Sequence, residues 1–342
     1  MDRIGASTGA FDFFMLPLVH RKGYVASNVM DISREGHAAG GFVLEPEVGL
    51  HENVIVLDFK SLYPSIIKTF KIDPYSRLMA GINPVETPVG IPFSRTEHIL
   101  PKQIGLLFNQ RRIAKENGDS HLSQAVKILM NSFYGVMGSG GSRFYHADLP
   151  TAITGTGQWM LRSAIEFLQT NEYDVLYGDT DSVFVKLKPQ DSIRVWEKGE
   201  TLAEEINEYI SKRIEEKFGV VSELEIEFEK YYSKFFLPAA RGGEGGAKKR
   251  YVGVRVNKSG SEIQFSGMEF VRSDWTSLAK TFQFQLYERL FSGEEIDGFI
   301  RDYVQALKSG EYDGDLVYKK RLTKPVREYV KSIPPHVKAA ML

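Results

Sequence analysis

Apolar positions in this chain follow two periods, and each predicts a different kind of element. Runs of β-branched and aromatic residues read as strands, whereas apolar residues recurring every three or four positions read as amphipathic helices. The run V-I-V-L at Val54–Leu57 predicts a buried strand ending at Asp58, followed by a turn into a helix over Ser61–Thr69. Tyr173–Tyr177 and Val183–Leu187 predict a strand hairpin closed by G-D-T-D-S. The alternation E-L-E-I-E-F-E from Glu223 to Glu229 predicts a strand with its glutamates on one face, turned to water. Helical spacing covers Phe11–Val19, Lys102–Asn117, Leu122–Gly135, Leu149–Thr170, Glu200–Phe218 and two segments between Thr276 and Gly310. Gly118, Asp119 and Ser120 join the second and third of these into an antiparallel helical hairpin.

Connections are equally legible. The stretch H-A-A-G-G-F-V at His37–Val43 reads either as a flexible linker or as a place where backbones approach closely. A proline-rich excursion precedes the helical hairpin, and a glycine-rich bend, G-V-M-G-S-G-G-S, follows it. The tail Y-K-K-R-L-T-K-P-V-R-E-Y-V-K, beginning at Tyr318, is strongly basic and suits a basic surface helix or a phosphate backbone.

Composition narrows the class. The 342 residues allow two or three domains, and 42% hydrophobic with 25% charged content is that of a soluble globular protein. No apolar run reaches the length of a membrane span and the first residues carry no secretory pattern, so a cytoplasmic location without membrane association is expected. Zero cysteines exclude disulfides, thiolate metal sites and cysteine nucleophiles. A net charge of -1 leaves no global basic footprint, so any nucleic-acid surface must be a local cluster.

Candidate chemistry centres on carboxylates. Asp179 and Asp181 crown one turn, where like charges raise each other's pKa unless a cation neutralises them, and oxygen ligands of this kind suit Mg²⁺. The same letters are those of an ordinary polar β-turn, and the pattern alone leaves both readings open. Asp58, at the carboxyl end of a strand, is placed as a third carboxylate. Arg111 and Lys115 share one helical stripe, and Lys127, Asn131 and Tyr134 share another. Such stripes are either solvated faces or, turned towards the carboxylates, a cradle for a triphosphate. The loop R-G-G-E-G-G-A-K-K-R-Y ends in Lys248, Lys249, Arg250 and Tyr251, a set suited to duplex backbone contact.

Taken in order, D-F-K-S-L-Y-P-S-I-I, K-I-L-M-N-S-F-Y-G, Y-G-D-T-D-S and K-K-R-Y resemble the motifs of family B DNA polymerases, and the resemblance covers nearly the whole chain. It implies an α+β fold of right-hand architecture, with an antiparallel palm sheet, helical-hairpin fingers and a partial helical thumb. The segments implied are an N-terminal linker over 1–43, palm over 44–95 and 140–270, fingers over 96–139 and the start of a thumb over 271–342. Asp58, Asp179 and Asp181 would be catalytic. Two Mg²⁺ ions would be held by Asp58, Asp181, the carbonyl of Phe59 and Glu229 or its neighbour Glu227. Nucleotide contacts would come from Ser61, Leu62, Tyr63, Arg111, Lys127, Asn131 and Tyr134, with Tyr63 beneath the sugar and excluding a 2′-hydroxyl. Lys248, Lys249, Arg250 and Tyr251 would follow the DNA. Partners implied are primer–template DNA and dNTPs, with a sliding clamp for a full-length bacterial member.

The implied reaction is template-directed DNA synthesis by nucleotidyl transfer to a primer 3′-hydroxyl, with release of pyrophosphate. Full-length members carry an exonuclease ahead of the palm, and no D-x-E motif precedes Asp58, so proofreading is expected to be absent. The other reading, from a different class, is a catalytically weak fragment that only binds nucleic acid or nucleotide.

Overall fold

The computed structural model describes residues 7–32, 40–189, 194–330 and 333–342. Residues 37–39 of the glycine-rich stretch and Lys331 of the basic tail lie outside them. The chain is an α+β protein with antiparallel strand pairing, and it divides into two compact units. One comprises Met1–Glu45 and Val54–Lys230, the other Pro46–Asn53 and Tyr231–Leu342.

In the first unit, helix α1 (Ser7–His20) buries Phe11, Met15 and Val19, four residues apart on one face. Strand β1 (Gly49–Phe59) enters the unit at Val54, where Val54–Leu57 are buried, as their unbroken apolar run requires of a strand covered on both faces. Helix α2 (Leu62–Phe70) follows. A short helix α3 (Pro74–Leu78) is capped by Asp73, whose carboxylate accepts from Ser76 N at 2.7 Å and also from Ile99 N at 2.6 Å and Leu100 N at 3.1 Å. Asp73 therefore ties α3 to the first turn of the next long helix. Between them lies a small ribbon, β2 (Val85–Glu86) with β3 (Pro92–Phe93).

The predicted helical hairpin is α4 (Leu100–Glu116) with α5 (Ser120–Met137). Gly118 makes the turn at φ 70°, a region open to glycine without steric cost, and the Asp119 side chain caps Leu122 N at 2.9 Å. Helix α1 docks on α5 through Phe11 and Phe133, whose ring centroids are 5.3 Å apart. Helix α6 (Asp148–Thr170) carries a broad buried face that includes Leu149, Ile153, Met160, Leu161 and Leu168 and packs against α2. It leads into β4 (Asp174–Asp179) and β5 (Ser182–Lys186), with β5 pairing also with β1. Helix α7 (Val195–Phe218) completes the unit, its Asn207 side chain exchanging two hydrogen bonds with Ile226 at 2.9 and 2.8 Å.

That clamp marks where the next strand, β6 (Ile226–Leu237), begins. The strand expected from Glu223 therefore starts later. Glu223 and Glu225 belong to the preceding irregular segment, where they are exposed as expected and form surface ion pairs with Lys68 and Lys60.

The second unit holds the rest of β6 together with β7 (Tyr251–Asn257) and β8 (Gly260–Ser266), an antiparallel meander. Helix α8 (Ser277–Ser292) covers it, and Val252, Phe265, Met268, Tyr287 and Phe291 form the core. Helix α9 (Asp297–Lys308) and a short α10 (Pro335–Met341) follow. Of the two readings of the basic tail, the described residues do not form the surface helix, holding a 3₁₀ turn at Val326–Glu328 instead. Pro325 lacks an amide donor and biases Lys324 away from helical dihedrals. No helix among the described residues is long and apolar enough to cross a membrane.

Candidate active site

The carboxylates are brought together by strand pairing. Asp58 ends the apolar part of β1 and stands opposite Ser182 of β5, while Asp179 ends β4 and faces the same Ser182. The Phe59 N–H donates to the Asp181 carbonyl at 2.8 Å, so two segments distant in sequence are fixed side by side. Burial pushes the Asp58 carboxyl up to about 7, and the negative charges of Asp181 and Glu229 add to the rise while Lys230 opposes it. Glu229 pairs with Lys230 at 3.0 Å. Excess negative charge at a half-buried carboxylate is the environment a divalent cation relieves. Among the described residues, no group of three or more His, Asp or Glu side chains is arranged as a metal cage.

The turn between these strands is held from outside. Thr180 adopts φ 57°, which is unusual for a β-branched residue and persists only where neighbours fix it. Its N–H donates to Phe42 O at 2.9 Å and its hydroxyl donates to Asp179 Oδ1 at 3.0 Å. Leu44 N donates to Gly178 O at 2.8 Å, and Val43 bridges Asp179 in antiparallel fashion. Segment 42–44 is therefore an added edge beside the D-T-D turn. A side chain on Gly41 would meet Thr180 Oγ1 at 2.7 Å, so at this residue the chain passes closely against the D-T-D turn.

Beside Asp58 opens a cleft of about 470 Å³. Lys60, Lys68, Arg111, Arg112, Lys115 and Lys127 line it, together with Ser61 and the acidic Asp58, Glu223, Glu225 and Glu227. Arg111 and Lys127 of the two predicted stripes thus converge on one cavity with Asp58 and Ser61. Ser61 has φ 48°, and its hydroxyl lies 3.5 Å from the Arg111 guanidinium. The buried Arg111 Nε has no hydrogen-bond partner. Leu62 is buried in the α2 core. The rings of Tyr63 and Tyr134 lie 4.5 Å apart. Burial pushes the Tyr63 hydroxyl up to about 12, with the charges of Tyr134, Asp181 and Asp179 contributing. Asn131, Asp179 and Asp181 do not line the cleft itself.

Lys60 was not singled out by the sequence. Its ammonium lies 2.6 Å from Glu225 and 2.9 Å from Glu227, and Lys68 lies 2.8 Å from Glu223. The alternating glutamates are thus the acidic wall of the cleft. The one signal that points to Lys60 is its place two residues after Asp58.

The second unit holds the K-K-R-Y set. Tyr251 opens β7 and packs its ring 5.2 Å from that of Phe235. Lys249 has φ 61°. The Arg250 guanidinium is engaged by Glu269, at 2.6 and 2.7 Å.

A sheet carrying paired carboxylates beside a cation-lined cleft defines a class, and the sequence model of DNA polymerase family B matches residues 5–341. This chain belongs to DNA polymerase family B. It is 41% identical over its whole length to DNA polymerase II of Escherichia coli (strain K12), of which it spans 44%. It is 30% identical over 96% of its length to a DNA polymerase of Archaeoglobus fulgidus, spanning 41% of that protein. Among solved structures it is similar to the family B DNA polymerase of Pyrobaculum calidifontis, with a TM-score of 0.62 and 27% identity over 98% of this chain and 43% of the other. The chain spans less than half the length of these relatives.

Proposed function

We propose that this chain is the nucleotidyl-transfer core of a template-directed DNA polymerase, extending a primer 3′-hydroxyl with dNTPs and releasing pyrophosphate. The observation that carries the reading is the placement of Asp58 beside Asp181, on the rim of a cleft walled by Arg111, Lys115 and Lys127. The first unit would supply the palm around β1, β4 and β5 and the fingers in the hairpin α4–α5. The second would supply further palm strands and the start of a thumb.

Asp58, Asp181, the Phe59 carbonyl and Glu229 would hold Mg²⁺, with Asp179 in support. Bound divalent ions lower the pKa of an attacking hydroxyl and neutralise a leaving pyrophosphate. This chain's own residues do the positioning. Arg111, Lys127 and Asn131 would hold the β- and γ-phosphates, the N–H groups of Ser61 and Leu62 would take further phosphate oxygens, and Tyr63 backed by Tyr134 would seat the sugar. Lys248, Lys249 and Tyr251 would follow the duplex.

Primer extension with Mg²⁺ and four dNTPs tests the reading. Incorporation that vanishes in Asp181→Ala supports it. Binding of primer–template without incorporation would reduce the chain to a nucleic-acid-binding fragment.

A further inference from the structure

Glu269 is buried, with 4% of its surface exposed, and takes no part in the site described above. Its carboxylate gathers donors from separate segments. Oε1 accepts from Arg241 and from Arg250, each at 2.6 Å, while Oε2 accepts from Arg250 at 2.7 Å and from the Gln283 side chain at 2.8 Å. Arg241 and Arg250 stand at the two ends of the glycine-rich loop whose last residues include Lys248 and Lys249. The loop is closed internally as well, by Ala240 N to Gly245 O at 2.9 Å and Ala247 N to Pro238 O at 2.8 Å.

A second contact is independent of charge. Gly267 has φ 62°, and a Cβ built there would fall 2.0 Å from the Lys249 carbonyl oxygen. Only glycine lets the Lys249 backbone lie where it does. The tripeptide Gly267–Met268–Glu269 thus receives Lys249 by its missing side chain and Arg250 by its carboxylate, and it buries Met268 in the core between them.

We propose that Gly267 and Glu269 form a seat that sets Lys248 and Lys249 for contact with the phosphates of a DNA duplex, with Glu269 a positioning residue. In this assignment Arg250 is part of the seat. One nitrogen of its guanidinium, Nη2, lies 2.6 and 2.7 Å from the two oxygens of the buried Glu269 carboxylate, so this end of the side chain is held by the seat. The proposal rests on the reading that K-K-R-Y follows DNA. Its consequence runs against simple charge counting. Removing an acidic residue near a polyanion should strengthen binding, whereas removing a seat should weaken it.

The test is the salt dependence of affinity of the full chain for a recessed DNA duplex, measured by fluorescence anisotropy. Lys249→Gln should lower the slope of log K on log salt by about 0.9, the loss of one phosphate contact. Glu269→Gln and Gly267→Ala remove no cation, yet each should lower the slope by about as much and weaken binding by about fivefold to tenfold. Hydrogen exchange at the amides of Ala247–Tyr251 should rise in both variants, with or without DNA. Parental slope and affinity in both variants, or unchanged exchange, overturns the seat. An unchanged slope in Lys249→Gln instead sinks the DNA-contact reading, while the exchange result still reports on the seat. Should Glu269→Gln fail to fold, Gly267→Ala, at an exposed position that alters no charge, carries the test.

Discussion

The Phe59 amide donates to the Asp181 carbonyl at 2.8 Å, and through this bond Asp58 and Asp181 are held on neighbouring chain segments. Two carboxylates fixed in this way repel, as the rise of the Asp58 carboxyl to about 7 shows, burial being the larger cause and Asp181 the next. Asp58→Asn should therefore raise the melting temperature in EDTA. Mg²⁺ should raise that of the parent by a few degrees, the shift expected for about 1–2 kcal/mol of binding linkage. Differential scanning calorimetry with and without Mg²⁺ checks this, and an equal Mg²⁺ shift in Asp58→Ala and Asp181→Ala would exclude ion binding at the pair.

Gly41→Ala should displace the D-T-D turn, because its Cβ meets Thr180 Oγ1 at 2.7 Å. The expected result is a fall in kcat of about tenfold to a hundredfold, with KM for dNTP nearly unchanged. In a Thr180→Ala background the same change should cost much less, since the clashing atoms are gone. Single-nucleotide incorporation kinetics on the four proteins give the cycle, and additive effects would rule out the contact as the cause.

Tyr63 sits against Tyr134, with ring centroids 4.5 Å apart. If Tyr63 seats the sugar as proposed, replacing it by valine should relax discrimination against ribonucleotides by about a hundredfold or more, because the ring's volume would then exclude the 2′-hydroxyl. Competition between dATP and ATP in primer extension measures the ratio. A variant as selective as the parent would remove Tyr63 from the sugar-binding role.

Asp73→Ala removes the cap of α3 and leaves the Ile99 and Leu100 amides without their acceptor. The expected loss is about 3 kcal/mol of stability, combining a lost cap with unsatisfied buried donors. Urea denaturation monitored by tryptophan fluorescence would show it. A loss below about 0.5 kcal/mol would mean that water replaces the carboxylate.

Burial works to raise the Glu269 carboxyl, but hydrogen bonds from Arg250 and Gln283 outweigh it and hold the group down at about 2, below the ordinary 4.5. A depressed carboxyl contributes stability that is full above the unfolded value and is lost as pH falls through the folded one. The second unit should therefore weaken between about pH 4.5 and pH 2, and Glu269→Gln should flatten that part of the stability curve. Acid titration followed by near-ultraviolet circular dichroism compares the two.

Local rules made much of this architecture readable in the amino-acid order. The strands at Val54 and Val183 announce themselves by unbroken apolar runs, and the turn between α4 and α5 by a glycine and a capping aspartate. The K-K-R-L-T-K-P tail shows where local reading stops, since charge left a surface helix and a phosphate-tracking segment both open and Pro325 disfavours the helix. Alternation turned Glu223, Glu225 and Glu229 to water correctly but put the start of the strand too early, for another reason. Period two is satisfied by a strand or by an extended segment, and only the Asn207 clamp on Ile226 fixes where the ladder begins.

By itself the sequence determined most of the longer elements, the carboxylates, the cationic stripes and the family, because each is carried by residue type and near-neighbour spacing. Tertiary structure alone decided the pairings that cross long stretches of chain. Lys60 with Glu225 and Lys68 with Glu223 span separations of 165 and 155 residues, Gly41 meets Thr180, and Arg241 and Arg250 close on Glu269. Periodicity within a segment says which face is buried, whereas the partner of that face depends on how distant segments fold back together, information that no local pattern contains.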